Sequence, residues 1–164
     1  MHPAPSVIIF TSLSGLGFGL FVWLGLGFPE GLYGMKAFGT YFMAYALSVG
    51  GIAASTFHLG NPRNIVYAFS QWRTSWLSRE GVLAVITLLT FAPMAIMQIF
   101  LSSDTLNWIG PIGAALALVT VFSTSMIYAQ LKTVPRWNMP LNPVLFLLFA
   151  FLTWQYARRN QLFA

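Results

Sequence analysis

The sequence holds no cysteine, two histidines and three acidic side chains among 164 residues. The missing cysteine excludes disulfides, c-type haem attachment and cysteine-ligated iron–sulfur clusters on this chain. Charged residues make up 7% of the chain, against about 25% in soluble domains. So few charges cannot cover a water-facing surface, and the solvent is therefore lipid. The net charge of +5 comes without a basic stripe built around a nucleic-acid motif, which sets DNA and RNA aside as partners. Asp, Glu and His form no cluster at metal-ligand spacing, so no metal site is expected. Before the first apolar segment there is no lysine or arginine, which a cleavable signal peptide would carry, so that segment reads as a retained span.

What is present in abundance is apolar sequence, 57% of the chain, with a mean hydropathy of +0.73. A spanning helix needs about 20 mostly apolar residues. Five segments approach that, at about 6–28, 37–57, 80–101, 108–131 and 142–156, the last being the shortest. The expected fold class is all-α, a polytopic transmembrane helix bundle with about five spanning helices in one integral-membrane domain, 1–164. Pro29-Glu30-Gly31 stops the first span, and Pro93 is expected to kink the third. With five crossings, the 58–79 and 132–141 connections share one membrane face with the N-terminus, here face A. Face A holds Arg63, Arg73, Arg79, Lys132 and Arg136. Face B holds Lys36, Arg158 and Arg159 against Glu30 and Asp104. The positive-inside rule favours face A in the cytoplasm of a bacterial inner membrane, while a basic face also suits docking of an acidic partner.

Small residues recur at helix-packing spacing. Gly15 and Gly19 form a GxxxG pair, and Ala46, Gly50 and Ala54 a second stripe, both expected to let helix backbones approach closely. Gly15, Gly17 and Gly19 do not make a nucleotide loop, because no strand precedes them.

The ionisable side chains converge on face A. "STFHLGNPRN" places His58 at the end of the second span, and Glu80 opens the third after "TSWLSRE". Ionisable groups at or inside a bilayer cost free energy and are functional suspects. A quinol headgroup would need a hydrogen-bonding base, which a histidine or a boundary carboxylate supplies. It also needs a flat slot, for which Phe57, Tyr67, Trp72 and Trp76 are at hand. Each has a plainer alternative. His58 suits a helix C-terminus, and Glu80 suits a first helical turn capped by Ser78. The tryptophans suit the headgroup level, and His2 is a terminal residue. Arg79 and Glu80, being adjacent, do not face each other on a helix. A bis-histidine haem would need two histidines on facing helices, and His2 lies outside any span.

"HPAPSVIIFTSLSGLGFGL", "STFHLGNPRNIVYAFSQWRTSWLSREG" and "MIYAQLKTVPRWN" closely resemble the membrane-anchor subunit of the anaerobic dimethyl sulfoxide reductase family, which includes the anchor of the membrane-bound sulfite-oxidising enzyme. The resemblance runs from His2 to about Leu148. It implies a hetero-oligomer in which the anchor tethers an iron–sulfur subunit and, through it, a molybdopterin catalytic subunit. It also implies exchange of electrons with membrane quinone (menaquinone or ubiquinone), with no haem or iron–sulfur cluster on the anchor. It assigns quinone binding to His58 and Glu80, with pocket-lining or docking roles for Arg63, Trp76 and Arg79. Anchors of that family have about eight helices. A chain with five apolar segments is therefore expected to meet helices supplied from elsewhere, or to serve as a purely structural subunit derived from such an anchor.

Overall fold

The computed structural model describes residues 5–56, 70–130, 139 and 141–159. Every regular element among them is helical. In chain order these are α1 (Pro5–Gly25), α2 (Gly34–Thr56), α3 (Trp76–Phe100), α4 (Gly110–Ala129) and α5 (Leu141–Arg159), with a 3-10 turn at Asn107–Ile109 leading into α4. Three stretches are long and apolar enough to cross a membrane: Gly34–Ala54, Trp76–Phe100 and Asn107–Ala129. Thr11–Gly25 and Leu141–Leu152 are shorter apolar stretches.

Local chemistry sets the helix ends. Pro5 opens α1 and Pro111 sits in the first turn of α4, where a missing N–H removes no helical bond. The amides of Leu26 and Gly27 turn back onto the carbonyls of Val22, Trp23 and Leu24 at 3.1 Å. Gly27 takes φ +81° there, a left-handed closure that a side chain would strain. Several boundaries differ from the sequence expectation, among them the start of α2, three residues early at Gly34. α1 ends three residues early, at this closure. α3 begins four residues early, at Trp76. α5 continues through Arg158–Arg159 instead of stopping near Tyr156.

α1 lies against α2, α4 and α5, while α3 packs on α2 and α4. α1 is accordingly apolar on all sides. Phe18, Leu20, Phe21, Val22 and Leu24 are all buried, as expected for a helix enclosed by others. At the centre, Phe21 stacks on Phe91 of α3 at 4.7 Å and meets Tyr45 of α2 edge-on at 5.0 Å.

The small-residue seam exists, but in another register. The contact between α1 and α2 runs through Gly17 on Ser48 and Gly51 on Ser14. Gly15 and Gly50 face open space, and Ala46 and Gly50 lie on the exposed side of α2. On α2 the inward stripe is Tyr41, Ala44, Ser48 and Gly51. A second close approach joins Gly25 of α1 to Ala114 of α4, whose backbone N would lie 3.0 Å from an added Cβ.

At face B a polar network ties three elements together. The Tyr41 hydroxyl donates to Gln98 Oε1 at 2.9 Å, and Gln98 Nε2 donates to Asn107 at 3.1 Å and to Asp104 at 3.4 Å. The Tyr33 hydroxyl donates to the other oxygen of Asp104. That bond, with the nearby carboxylate charge, holds the exposed Tyr33 phenol above its ordinary pKa. Gln98→Leu would leave the buried Tyr41 hydroxyl without its acceptor. It is expected to destabilise the bundle by about 1–2 kcal/mol. Gln98→Leu combined with Tyr41→Phe should recover most of that loss, because both partners are then apolar. Denaturant titrations of the single and double variants measure the coupling.

Candidate functional site: a buried carboxylate at one end of the bundle

The site begins with the turn before α3. Gln71 accepts the amides of Thr74 and Ser75, at 3.1 and 3.0 Å, and Ser75 becomes the N-cap position. Its side chain makes no capping bond. Ser78, expected as the cap, is instead a buried residue inside the helix. Glu80 is therefore the fifth residue of α3, beyond the first turn, and a helix-dipole role at the N-terminus does not account for it.

Trp76 and Glu80 are four residues apart and so share one face of α3. That face looks at α4. Trp76 meets Phe122 edge-on at 6.2 Å. One turn deeper, the Thr124 hydroxyl donates to Glu80 Oε1. Deeper again, Thr87 Oγ1 and Thr120 Oγ1 lie 3.3 Å apart. Glu80 is 3% exposed. Tyr128 follows Thr124 one turn further along α4. Tyr128 also stacks on Phe146 of α5 at 5.9 Å. Phe146 also lines an apolar groove of about 350 Å³ between α1 and α5, with Thr11, Ser12, Gly15, Leu16 and Phe149.

Arg79 reaches back to the preceding turn. Its Nε donates to the Trp72 carbonyl at 2.9 Å and its Nη2 to the Arg73 carbonyl at 2.6 Å. Its guanidinium sits 4.5 Å above the Trp76 ring. Arg79 thus clamps the 70–75 turn onto the start of α3, and Trp76 carries that clamp to α4. Trp72 is exposed, with the Arg73 guanidinium 5.7 Å over its ring. No described guanidinium or ammonium hydrogen-bonds Glu80. A carboxylate this buried, with a hydroxyl as its described partner, is costly to keep charged and is suited to take up a proton.

Of the residues named from sequence, Trp76, Arg79 and Glu80 come together here. His58 and Arg63 lie outside the described residues, as do His2, Tyr67, Lys132 and Arg136. The described part of α2 ends at Thr56, at the same end of the bundle as Glu80. Sequence reasoning missed Thr124 and Tyr128. The available signal was the run of hydroxyls at Thr120, Ser123, Thr124, Ser125 and Tyr128 within one apolar helix.

Apolar helices of spanning length, with one carboxyl buried between two of them near one end, define a multi-pass membrane protein with an ionisable group inside its bundle. Residues 1–160 match the family of the DMSO reductase anchor subunit (DmsC), and the chain belongs to that family. It is 35% identical, over 161 residues, to a sulfite dehydrogenase subunit of Allochromatium vinosum. That alignment covers 86% of this chain and 49% of the relative, so the chain spans about half of the relative's length. No solved structure matches it.

Proposed function

We propose that this chain is the membrane anchor of a molybdopterin oxidoreductase complex in a bacterial inner membrane. It tethers an iron–sulfur subunit and exchanges electrons and protons with membrane quinone. The observation that carries the reading is the Glu80 carboxyl, buried one turn below the face-A end of α3. Quinone supplies a two-electron, two-proton couple. The chain supplies groups to accept and return the protons: Glu80 at the α3–α4 seam and His58 at the end of the second span. Arg79 and Trp76 fix the turn that leads into Glu80, and Arg63 with the other face-A cations docks the iron–sulfur subunit. The family is named for a reductase and the relative for a dehydrogenase. One site serves both directions, since they differ only in which way the protons pass.

The test is made on the purified complex that contains this chain. Its lipids are extracted and assayed for quinone, and its subunits are identified. Quinone is expected to co-purify with an iron–sulfur subunit, and to fall at least fivefold in His58→Ala. Unchanged quinone in that variant, or a complex without an iron–sulfur subunit, would make the chain a structural subunit instead.

A further inference from the structure

We propose that Thr124 is a positioning residue for Glu80, its hydroxyl reversing direction as the carboxyl gains and loses a proton. An ionised carboxylate only accepts hydrogen bonds, whereas a protonated one also donates. A partner that serves both states must itself donate and accept. Thr124 Oγ1 lies within hydrogen-bond reach of Glu80 Oε1 and also 3.1 Å from the Thr120 carbonyl. It has one proton and cannot give it to both. When Glu80 is ionised, Thr124 donates to it. When Glu80 takes a proton, the new carboxyl O–H donates to Thr124 Oγ1, and the Thr124 proton turns to the Thr120 carbonyl. One proton is gained and none is lost, and no heavy atom has to move. Both residues are 3% exposed, so bulk water is not at hand as a substitute.

The layer beneath explains why the proton stops there. Thr120 Oγ1 donates to the Leu116 carbonyl at 2.8 Å, and Thr87 Oγ1 to the Leu83 carbonyl at 2.7 Å. Each hydroxyl has the other as well as a carbonyl of its own helix within reach, and no described hydrogen bond links this pair to the Thr124 hydroxyl, so among the described residues the string ends at Thr124. A proton taken up by Glu80 leaves again toward face A. The titratable groups around Glu80 among the described residues allow this. From α4 there is Tyr128. α1 carries none, and the described side chains of α5 carry none. On α2, Lys36 and Tyr41 lie toward face B, Tyr41 in the Gln98 network, and the Tyr45 hydroxyl is bonded to the Leu88 carbonyl, eight residues along α3 from Glu80. On α3 itself, Arg79 is held by the 70–75 turn.

That quinol is the physiological proton donor rests on the proposed function. The switch itself needs only a proton exchangeable with face A. The experiment uses the purified complex with Glu80→Gln, Thr124→Val and Thr124→Ser. Infrared difference spectra between acidic and neutral buffer assign the Glu80 carboxyl band as the one lost in Glu80→Gln. That band is expected to be deuterium-sensitive, to stay in place in Thr124→Ser, and to move to higher frequency in Thr124→Val. Quinol-linked kcat is expected to fall about tenfold or more in Thr124→Val, with KM within about twofold, and to recover in Thr124→Ser. Thr124→Ala carries the same expectation should the valine variant fail to assemble. An unshifted band in Thr124→Val or Thr124→Ala, or no Glu80 band in the wild-type difference spectrum, overturns the proposal. Quinol turnover that survives Glu80→Gln overturns the quinone reading alone, and the infrared result still decides the switch.

Discussion

The Glu80→Gln complex is expected to assemble normally and to lose quinol-linked turnover by about two orders of magnitude or more. The two halves of that expectation have separate causes. Glutamine keeps the shape of the side chain and an oxygen that still accepts the Thr124 hydroxyl. It also removes the cost of burying a charge, so folding stability should hold or rise slightly. What disappears is the capacity to take a proton, and a positioned acid or base typically contributes 10²- to 10⁴-fold to a rate. The measurement is a comparison of two turnovers on one preparation. Turnover linked to quinol should collapse, while turnover with a soluble electron carrier at the catalytic subunit should stay near wild type. A parallel loss of both would trace the defect to assembly. Quinol-linked turnover close to wild type would remove Glu80 from the proton path.

How far the sequence announces this site depends on what each residue contrasts with. Glu80 is legible because a carboxyl beside an apolar run is costly, although the sequence also allowed it a helix-start role that its place as fifth residue of α3 removes. The helices are legible as unbroken apolar length, and Pro29-Glu30-Gly31 marks the stop of the first, which the structure brings three residues sooner, to Gly25. The start of α3 is not legible, because "SWLSRE" looks like an interfacial loop. The backbone shows it to be helix, the Arg79 amide closing the first turn on the Ser75 carbonyl at 3.1 Å. Thr124 is hidden for another reason. A threonine in a spanning helix can satisfy itself on the carbonyl four residues back, as Thr87, Thr90 and Thr120 do. Its presence therefore does not announce a partner on another helix. The glycine register is hidden because α1 is apolar on every side. Periodicity needs a polar face to contrast with, and without one the sequence does not tell Gly15 from Gly17.

That ambiguity supports the second large prediction. Gly17→Ala is expected to destabilise the bundle by about 3 kcal/mol or more, whereas Gly15→Ala should be neutral or stabilise by up to about 1 kcal/mol. An added Cβ at Gly15 meets nothing within 4 Å, so only the helix preference of alanine acts. At Gly17 the added Cβ would collide with Ser48 Oγ, and would lie 2.5 Å from the Ser48 amide N and 2.9 Å from its Cα. Two of those three atoms are backbone and cannot turn aside, so α1 and α2 must separate along their whole seam, including the Gly51–Ser14 contact. The same geometry predicts what will not help. Among the described residues, Ser48 Oγ is buried with no hydrogen-bond partner. Ser48→Ala alone should therefore cost nothing and relieve about 1 kcal/mol or less. In the Gly17→Ala background it should restore only a small part of the loss, because the amide N and Cα remain in the way. Thermal unfolding of five proteins, wild type, Gly15→Ala, Gly17→Ala, Ser48→Ala and the Gly17→Ala/Ser48→Ala double, checks the whole pattern. Full rescue by Ser48→Ala would mean that the hydroxyl alone sets the helix spacing, and that the backbones have room to spare.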